Sequence, residues 1–368
     1  MRDRLFANRR SPERGMVAAV LLLTTLLAAS TATNVSTNAA AGPIPNRHRL
    51  VAGVTTAELP SGPVDIWYPA NAESTRGHHL ARYDIRTWLP AALRARVAGD
   101  PATFVTAAYR NIPPAIGRAY PLVLFAHGLY SLRDQSTFLT TWLASHGFIV
   151  AAPEFPLHDL TAYFDPPDSA HTPNDYQVLV ETEALVRRMD LQQGSQLYRI
   201  VRPGTVAVIG HSLGGMDAIQ FSTRPEVATY VALAAGWQSP PANLPAARSL
   251  FMTGTADHDV APGWVKETYR RATPPKTFVT LAGAGHLVFT DFCQVGKGTE
   301  GLAALGRHLG VHLSPGAPFT TRAMDGCSKS NPQVAREHSI IDHAVLSDLT
   351  SAFSISAPAP RRNPGSSK

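Results

Sequence analysis

The sequence predicts an α/β protein with a mostly parallel central sheet and helices on both faces. Short, nearly continuous apolar runs alternate with longer segments of helical spacing, as strands and crossover helices do in such a sheet. Hydrophobic residues make up 44% of the 368 residues and charged residues 16%, which excludes disordered, collagen-like and coiled-coil chains.

Strands are predicted from apolar runs and from alternation. Gly62–Pro69 alternates apolar and polar residues, as a half-buried strand does, whereas Tyr120–Ala126 is apolar almost throughout and fits burial on both faces. Runs of the same kind predict further strands at 148–152, 205–209, 230–235, 249–253 and 276–281.

Helices are predicted between these strands. Residues 135–146 have helical spacing and stop before Gly147, a suitable C-terminal glycine. Residues 176–193 carry acidic residues early and arginines late, which matches the helix dipole. Two more helices are expected at 213–222 and 338–353. We therefore expect one catalytic domain over 41–356, with an insertion at about 71–118 and a disordered tail over 357–368.

The N-terminus has the pattern of a secretory signal peptide. A basic stretch precedes the 14-residue apolar run Met16–Ala29, and small residues follow it. The run is short for a membrane span of about 20 residues, although an uncleaved anchor stays open. We expect a signal peptide over residues 1–40, with an uncertain cleavage site, and a secreted or cell-envelope protein.

The net charge of +6 does not indicate a nucleic-acid partner. Residues 1–15 contribute +3 and the tail after Asp348 another +3, so the body between them is near neutral. A nucleic-acid groove needs basic residues clustered on the folded part.

The chain has two cysteines, Cys293 and Cys327. Export favours oxidation, so we expect a disulfide, although two buried thiols are the alternative. A loop of this length would contribute roughly 3 to 4 kcal/mol in the chain-entropy model. No Cys/His spacing resembles a zinc site, and no metal or organic cofactor is expected.

The strongest motif is Gly210-His211-Ser212-Leu213-Gly214, which matches G-x-S-x-G between a predicted strand and a predicted helix. The glycines leave room for a tight turn that points the Ser212 hydroxyl into a cleft. In that context Ser212 is the candidate nucleophile.

A serine nucleophile needs a base and a group that orients the base. In this architecture the order along the chain is Ser, acid, His. Asp257 and His286 each follow a predicted strand, at the sheet edge where an open α/β sheet builds its site. We therefore assign His286 as base and Asp257 as orienting acid, with Asp259 as the alternative acid.

Other acids and histidines are assigned structural roles. Asp291 is expected to be a surface or loop-capping carboxylate, and His211 a packed residue of the turn. His127, His146 and His158 precede the serine, on the wrong side for this triad order.

An oxyanion intermediate needs two aligned N–H donors. One is the amide of Leu213, and the other is expected after His127-Gly128, from Leu129. Tyr130 is the alternative donor and a candidate substrate contact.

These motifs resemble the platelet-activating-factor acetylhydrolase family. The resemblance rests on Phe125–Leu129, Leu143–Ala152, Gly210–Gly215 and Gly285-His286 with Asp291-Phe292, and covers roughly residues 50 to 295. The chain is also similar to dienelactone hydrolases and to bacterial cutinase-like polyester hydrolases, which all belong to the α/β-hydrolase superfamily. This resemblance implies the α/β-hydrolase fold, the triad Ser212, Asp257 and His286, and an oxyanion hole from Leu129 and Leu213.

The resemblance also has departures. In the polyester hydrolases a Trp lines the cleft, and Trp237 stands in the similar place, with core packing as the alternative. Those enzymes place their acid one residue later, where this chain has His258. The acetylhydrolase pattern after Ala152 is altered to Pro153-Glu154-Phe155-Pro156, and this loop, with Tyr163 and Phe164, is expected over the site.

The sequence thus predicts a secreted serine esterase that acts on short or medium acyl esters, including lipid or polyester substrates. A transient contact with a membrane surface is compatible with such substrates. The alternatives are a cutinase-like polyester hydrolase and a non-catalytic relative that binds a lipid or a partner. The acyl chain, the alcohol portion and the oligomeric state are not predicted.

Overall fold

A computed structural model describes residues 50–95, 103–294, 325–327 and 334–354. The strands are β1 Leu50–Leu59, β2 Gly62–Asn71, β3 Leu80–Asp84, β4 Thr103–Arg110, β5 Tyr120–Ala126, β6 Ile149–Pro153, β7 Val201–His211, β8 Val227–Leu233, β9 Arg248–Gly254 and β10 Lys276–Leu281. The helices are α1 Ala91–Arg94, α2 Thr137–Ser145, α3 Leu160–Phe164, α4 Asp175–Leu191, α5 Leu213–Phe221, α6 Pro262–Arg271 and α7 Val334–Ala352.

The strands of the described residues form one sheet in the order β10-β9-β8-β7-β5-β6-β2-β1-β4-β3. The six strands from β10 to β6 in this order run parallel, and β2 is antiparallel to both of its neighbours. The predicted fold class, a mostly parallel sheet with helices, is therefore confirmed.

Helices cover both faces of the sheet, and two apolar clusters lie beneath them. Along β5, Val123 and Phe125 join the cluster under α2 and α7, whereas Leu122 and Leu124 join the cluster under α4, α5 and α6. Successive side chains of a strand point to opposite faces, so a strand buried on both must be apolar throughout. All seven residues of β5 are buried, as its sequence predicts.

The predicted insertion at 71–118 extends the sheet. Its described residues contain β3 and β4, and β4 pairs in parallel with β1. The sequence analysis predicted an insertion there but no strand. Neither β3 nor β4 contains proline or glycine.

The predicted signal peptide and the predicted tail over 357–368 lie outside the described residues. Of the helices that are described, none combines the length and the apolar character that crossing a bilayer requires.

The register of the parallel strands aligns their carboxyl ends. Ala126 of β5 pairs with Gly210 of β7, which pairs with Ala232 of β8, and Leu281 of β10 pairs with Gly254 of β9. The residues that follow these strands therefore emerge along one edge of the sheet.

Candidate active site

Ser212 occupies a sharp turn between β7 and α5. Its φ of 56° and ψ of −121° lie in a region that non-glycine residues rarely adopt, at a cost of order 1 to 3 kcal/mol. The neighbouring glycines are sterically required, because a Cβ on Gly214 would lie 2.3 Å from the carbonyl oxygens of Ala126 and His127. The turn thus has the conformation of a nucleophile elbow, with a half-exposed serine at its apex.

Asp257 and His286 meet across the loops that follow β9 and β10. The Nδ1 atom of His286 lies 2.9 Å from Oδ2 of Asp257, and both side chains are almost fully buried. Oδ1 of Asp257 accepts hydrogen bonds from the main-chain N–H groups of Asp259 and Val260, at 2.9 and 2.8 Å. Of the two candidate acids, Asp257 is the one whose carboxylate contacts His286, and Asp259 contributes a main-chain donor that holds it.

His211 connects the serine turn to the His286 loop. The centroids of the two imidazole rings lie 4.6 Å apart, and Nε2 of His211 lies 3.2 Å from the carbonyl oxygen of His286. Burial, followed by the nearby His286, lowers the pKa of His211 well below its usual value. A neutral His211 can donate its Nε2–H to that carbonyl, which makes it a packed residue of the turn, as predicted.

The loop after β5 lies directly against the serine. A Cβ on Gly128 would come within 3.3 Å of the Ser212 Cβ atom. Tyr130 donates its main-chain N–H to the carbonyl of His158 over 2.6 Å, so the alternative assignment of Tyr130 as oxyanion donor is not supported. In the described part of the chain, the amides of Leu129 and Leu213 have no acceptor.

Gln135, which the sequence analysis did not single out, holds this loop in place. Its Oε1 accepts hydrogen bonds from the Gly128 N–H at 3.0 Å and from the Ser131 hydroxyl at 2.6 Å. Gln135 is completely buried. It therefore fixes the orientation of the peptide that precedes the Leu129 amide. No motif marks it, because it lies in a loop before α2 and acts through the main chain.

The two predicted substrate contacts lie in different settings. The ring of Tyr130 packs edge-on against Tyr163, with centroids 5.1 Å apart, so the altered loop after β6 reaches the loop after β5. Trp237 is half-buried, donates its main-chain N–H to Thr268 of α6, and packs against the core beneath that helix. The catalytic and binding roles of all these residues stay predictions.

Glu154 explains part of the altered sequence after β6. It accepts hydrogen bonds from Trp88 at 2.5 Å and Arg133 at 2.9 Å, and it lies 3.1 Å from His127. Burial opposes its ionisation, but His127, Arg133 and Trp88 outweigh burial and hold its pKa below the usual range. His127 thus has a structural partner, in agreement with its predicted role.

A second residue that the sequence analysis missed is Asp325. Its Oδ2 accepts hydrogen bonds from the main-chain N–H groups of His258 and His286, each at 2.9 Å. The predicted disulfide is present between Cys293 and Cys327, two residues beyond Asp325. The predicted disulfide was the sequence signal that could have pointed to Asp325, because it ties residues 325–327 to the loop that follows His286.

Asp291 is buried rather than on the surface. Its carboxylate accepts hydrogen bonds from the Thr137 main chain and hydroxyl and from the Phe138 N–H, and thereby caps the N-terminus of α2. Of the two predicted alternatives, a surface or a loop-capping carboxylate, the structure supports the capping one. Burial raises the pKa of Asp291 to about 7.

Comparison with known proteins gives matches at three levels. Residues 123–268 match the model of the alpha/beta hydrolase family. Platelet-activating factor acetylhydrolase from Canis lupus familiaris is 28% identical over 271 residues, which is 62% of this chain and 59% of the relative. The same protein from Cavia porcellus is 30% identical over 145 residues, 30% of this chain and 33% of the relative. The chain thus aligns with three fifths or less of these relatives' length.

Among solved structures, ferulic acid esterase from Streptomyces cinnamoneus matches with a TM-score of 0.54 and 21% identity. The match covers 87% of this chain and 95% of that one. At this identity the likeness concerns the fold alone. It agrees with the mostly parallel sheet covered by helices.

Proposed function

Because the chain belongs to the α/β-hydrolase superfamily, we propose that it is a serine hydrolase that cleaves carboxylic esters through an acyl-enzyme on Ser212. One observation carries this proposal. Ser212 lies in the strained elbow, and His286, which pairs with Asp257, packs against its neighbour His211. Strained backbone persists where the surrounding structure enforces it, and such strain concentrates at functional sites.

The first half of the reaction acylates the serine. His286 takes the Ser212 proton on Nε2 while Oγ attacks the ester carbonyl, and the carbonyl oxygen becomes an oxyanion. The amides of Leu129 and Leu213 donate to that oxyanion. When the tetrahedral intermediate collapses, the bond to the alkoxy group breaks and His286 gives its proton to the leaving alcohol.

The second half releases the acid. His286 takes a proton from water, whose oxygen attacks the acyl-enzyme carbonyl, and the second tetrahedral intermediate expels Ser212, which recovers the proton. Asp257 fixes the His286 tautomer with the proton on Nδ1 and stabilises the imidazolium form. Every proton removed by His286 is returned and no electrons are transferred, so the cycle needs no oxidant.

We propose short acyl groups, such as acetyl, as the preferred substrates. The support comes from the acetylhydrolases to which the chain is similar over 271 and 145 residues. We also propose that the protein is exported. The signal-like sequence before the described residues and the Cys293–Cys327 disulfide support an oxidising compartment.

The decisive experiment combines activity with active-site labelling. We expect the protein to hydrolyse p-nitrophenyl esters with a maximum near acetate or butyrate in a series from C2 to C16. Ser212→Ala should lose at least about 10³-fold in kcat and should no longer react with a fluorophosphonate probe. Ser222→Ala, at the other end of α5, is the matched control and should keep both properties. Full esterase activity in Ser212→Ala would contradict the proposal.

The outcome also separates the alternative functions. A maximum at long acyl chains would favour a lipase or a cutinase-like polyester hydrolase over a short-chain esterase. Absence of both hydrolysis and labelling in the folded protein would favour a non-catalytic relative that binds a lipid or a protein partner.

A further inference from the structure

Three potential metal ligands lie close together on the face of the sheet that α4 and α5 cover. His158 lies in the loop after β6, Asp175 is the first residue of α4, and Asp217 lies on the second turn of α5. Each offers one ligand atom, and these atoms all lie within 4.8 Å of one another. The three residues are far apart in the sequence, so no spacing motif could reveal them.

The cluster has buried polar atoms without partners. Within the described parts of the chain, Nε2 of His158, Oδ1 of Asp175 and Oδ2 of Asp217 are inaccessible to solvent and make no hydrogen bond. His158 is only 3% exposed, and its second ring nitrogen, Nδ1, lies 3.3 Å from the unpartnered Asp175 oxygen. Buried polar groups are normally paired, so three unpaired atoms in one place require an explanation.

The charge of the cluster also favours a bound cation. The unpartnered oxygens of Asp175 and Asp217 are both shielded from solvent. Two carboxylates thus share a poorly solvated space with one imidazole. A bound divalent cation would neutralise both carboxylates and satisfy the unpaired atoms together.

We propose that His158, Asp175 and Asp217 bind one divalent metal ion, with Zn²⁺ the best match. One imidazole nitrogen and two carboxylate oxygens are ligands that Zn²⁺ accepts at about 2.0 to 2.2 Å, with water in a fourth position. Ca²⁺ requires six to eight oxygen ligands, and Mg²⁺ prefers oxygen ligands and retained water. The nitrogen donor and the small number of ligands therefore favour a transition metal.

The ion would have a structural role. The carbonyl of His158 accepts the Tyr130 N–H, which belongs to the loop that carries the candidate oxyanion donor Leu129. Asp217 lies on the helix that begins directly after Ser212. A metal would thus join the loop after β6 to α5. The inference does not depend on the proposed esterase chemistry, in which the ion takes no step.

Calorimetric titration of the chelator-treated protein with Zn²⁺ tests the site. We expect one ion per chain with micromolar or tighter affinity. Asp217→Asn should weaken binding at least tenfold, because it removes an anionic ligand. The matched control is Asp168→Asn, which alters an exposed His–Asp pair with His171 that lacks a third ligand, and it should bind Zn²⁺ as the wild type does. Absence of stoichiometric binding, or unchanged affinity in Asp217→Asn, would overturn the proposal.

A second measurement covers the case in which Asp217→Asn does not fold. Co²⁺ bound to one nitrogen and a few oxygen ligands gives visible d–d absorption bands, which we expect in the wild type and not in His158→Gln. Zn²⁺ at 100 times its Kd should also raise the melting temperature of the wild type by several degrees, with no rise in His158→Gln. Identical Co²⁺ spectra in the two proteins would exclude His158 as a ligand and overturn the proposal.

Discussion

The carboxylate of Asp325 accepts a hydrogen bond from the main-chain N–H of His286 over 2.9 Å. The same oxygen accepts the His258 N–H, one residue after Asp257. Asp325 therefore joins the two loops that carry the candidate acid and the candidate base. It contacts no reacting atom of the proposed mechanism and is a positioning residue.

Asp325→Ala should lower kcat about tenfold or more, with a smaller effect on KM, because the His286 loop loses its anchor. Asp325→Asn keeps one oxygen acceptor and should recover part of the loss. The pH profile of kcat/KM should shift in Asp325→Ala, which a purely structural role would not require. His258→Ala removes the 2.8 Å contact of its exposed ring with Oδ1 of Asp325 but keeps the main-chain N–H that bonds Oδ2, so it serves as the control for the loss of the ring alone.

The disulfide provides an independent check on this anchor. Cys327→Ser should change kcat in the same direction as Asp325→Ala, because residues 325–327 are held beside His286 by Cys293. Unchanged kcat in both variants would show that the His286 loop is held without Asp325.

The choice of Asp257 over Asp259 can be tested directly. Asp257→Asn removes the charge that faces His286 Nδ1 and permits the wrong tautomer, so we expect kcat to fall about 10² to 10⁴-fold. Asp259→Asn keeps the main-chain N–H that supports Asp257 and should stay within about threefold of the wild type. Steady-state kinetics on a p-nitrophenyl ester compares the two, and the reverse order would reassign the acid.

Parts of the fold were predictable because their sequences admit one interpretation. Strands β5 and β10 have the predicted bounds, since apolar or alternating residues continue to their ends. Strand β1 was not predicted: its sequence is interrupted by Gly53, where a Cβ would lie 2.4 Å from the Tyr68 ring. Helix α6 was not predicted either, because only Val265 and Thr268 of its largely polar sequence are buried.

The residues of the candidate site also fall into a group that the sequence predicted and a group that it did not. Ser212, Asp257 and His286 follow strand ends, so topology brings them to one edge of the sheet and the sequence order identifies them. Gln135 and Asp325 act through main-chain groups of other loops. Such contacts depend on loop conformation, which residue periodicity does not encode.

Gln135 should influence kcat through the loop after β5, which carries the candidate oxyanion donor Leu129. Gln135→Ala removes the acceptor of the Gly128 N–H and the Ser131 hydroxyl, so the Leu129 amide loses its fixed orientation. We expect kcat to fall about 10 to 100-fold with little change in KM, as for a donor that acts in the transition state. Gln220→Ala, on the exposed side of α5, is the matched control. A fall in kcat that is accompanied by a large loss of thermal stability would point to general misfolding instead.

Substitution by alanine should have opposite effects at an elbow glycine and at a glycine in helix α6. A Cβ on Gly214 would meet two main-chain oxygens at 2.3 Å, so Gly214→Ala should abolish activity or folding. A Cβ on Gly263 would meet nothing within 4 Å, and Gly263 lies in the first turn of α6. Gly263→Ala should therefore stabilise the protein by up to about 1 kcal/mol. Thermal unfolding compares both variants, and a stable, active Gly214→Ala would contradict the elbow geometry.

Asp342 on α7 should make stability depend on pH. Burial, followed by the Asp291 charge, raises its pKa to about 8, and its Oδ1 has no hydrogen-bond partner in the described residues. A raised folded-state pKa means that the folded protein binds the proton more tightly. The stabilisation is then complete below the unfolded pKa of about 4 and is lost as pH rises through about 8.

Asp342→Asn is neutral at every pH, so it should gain stability relative to the wild type as pH rises from 5 to 8. One pKa unit corresponds to about 1.4 kcal/mol, so the relative gain can reach about 4 kcal/mol. Asp348→Asn on the same helix loses the charge that pairs with Arg248 and one of the two oxygens that accept from Arg248 and Thr229, so it should instead destabilise the protein by about 1 to 3 kcal/mol. Urea unfolding at pH 5 and pH 8 measures both, and a pH-independent difference for Asp342→Asn would show that Asp342 is already ionised at pH 5.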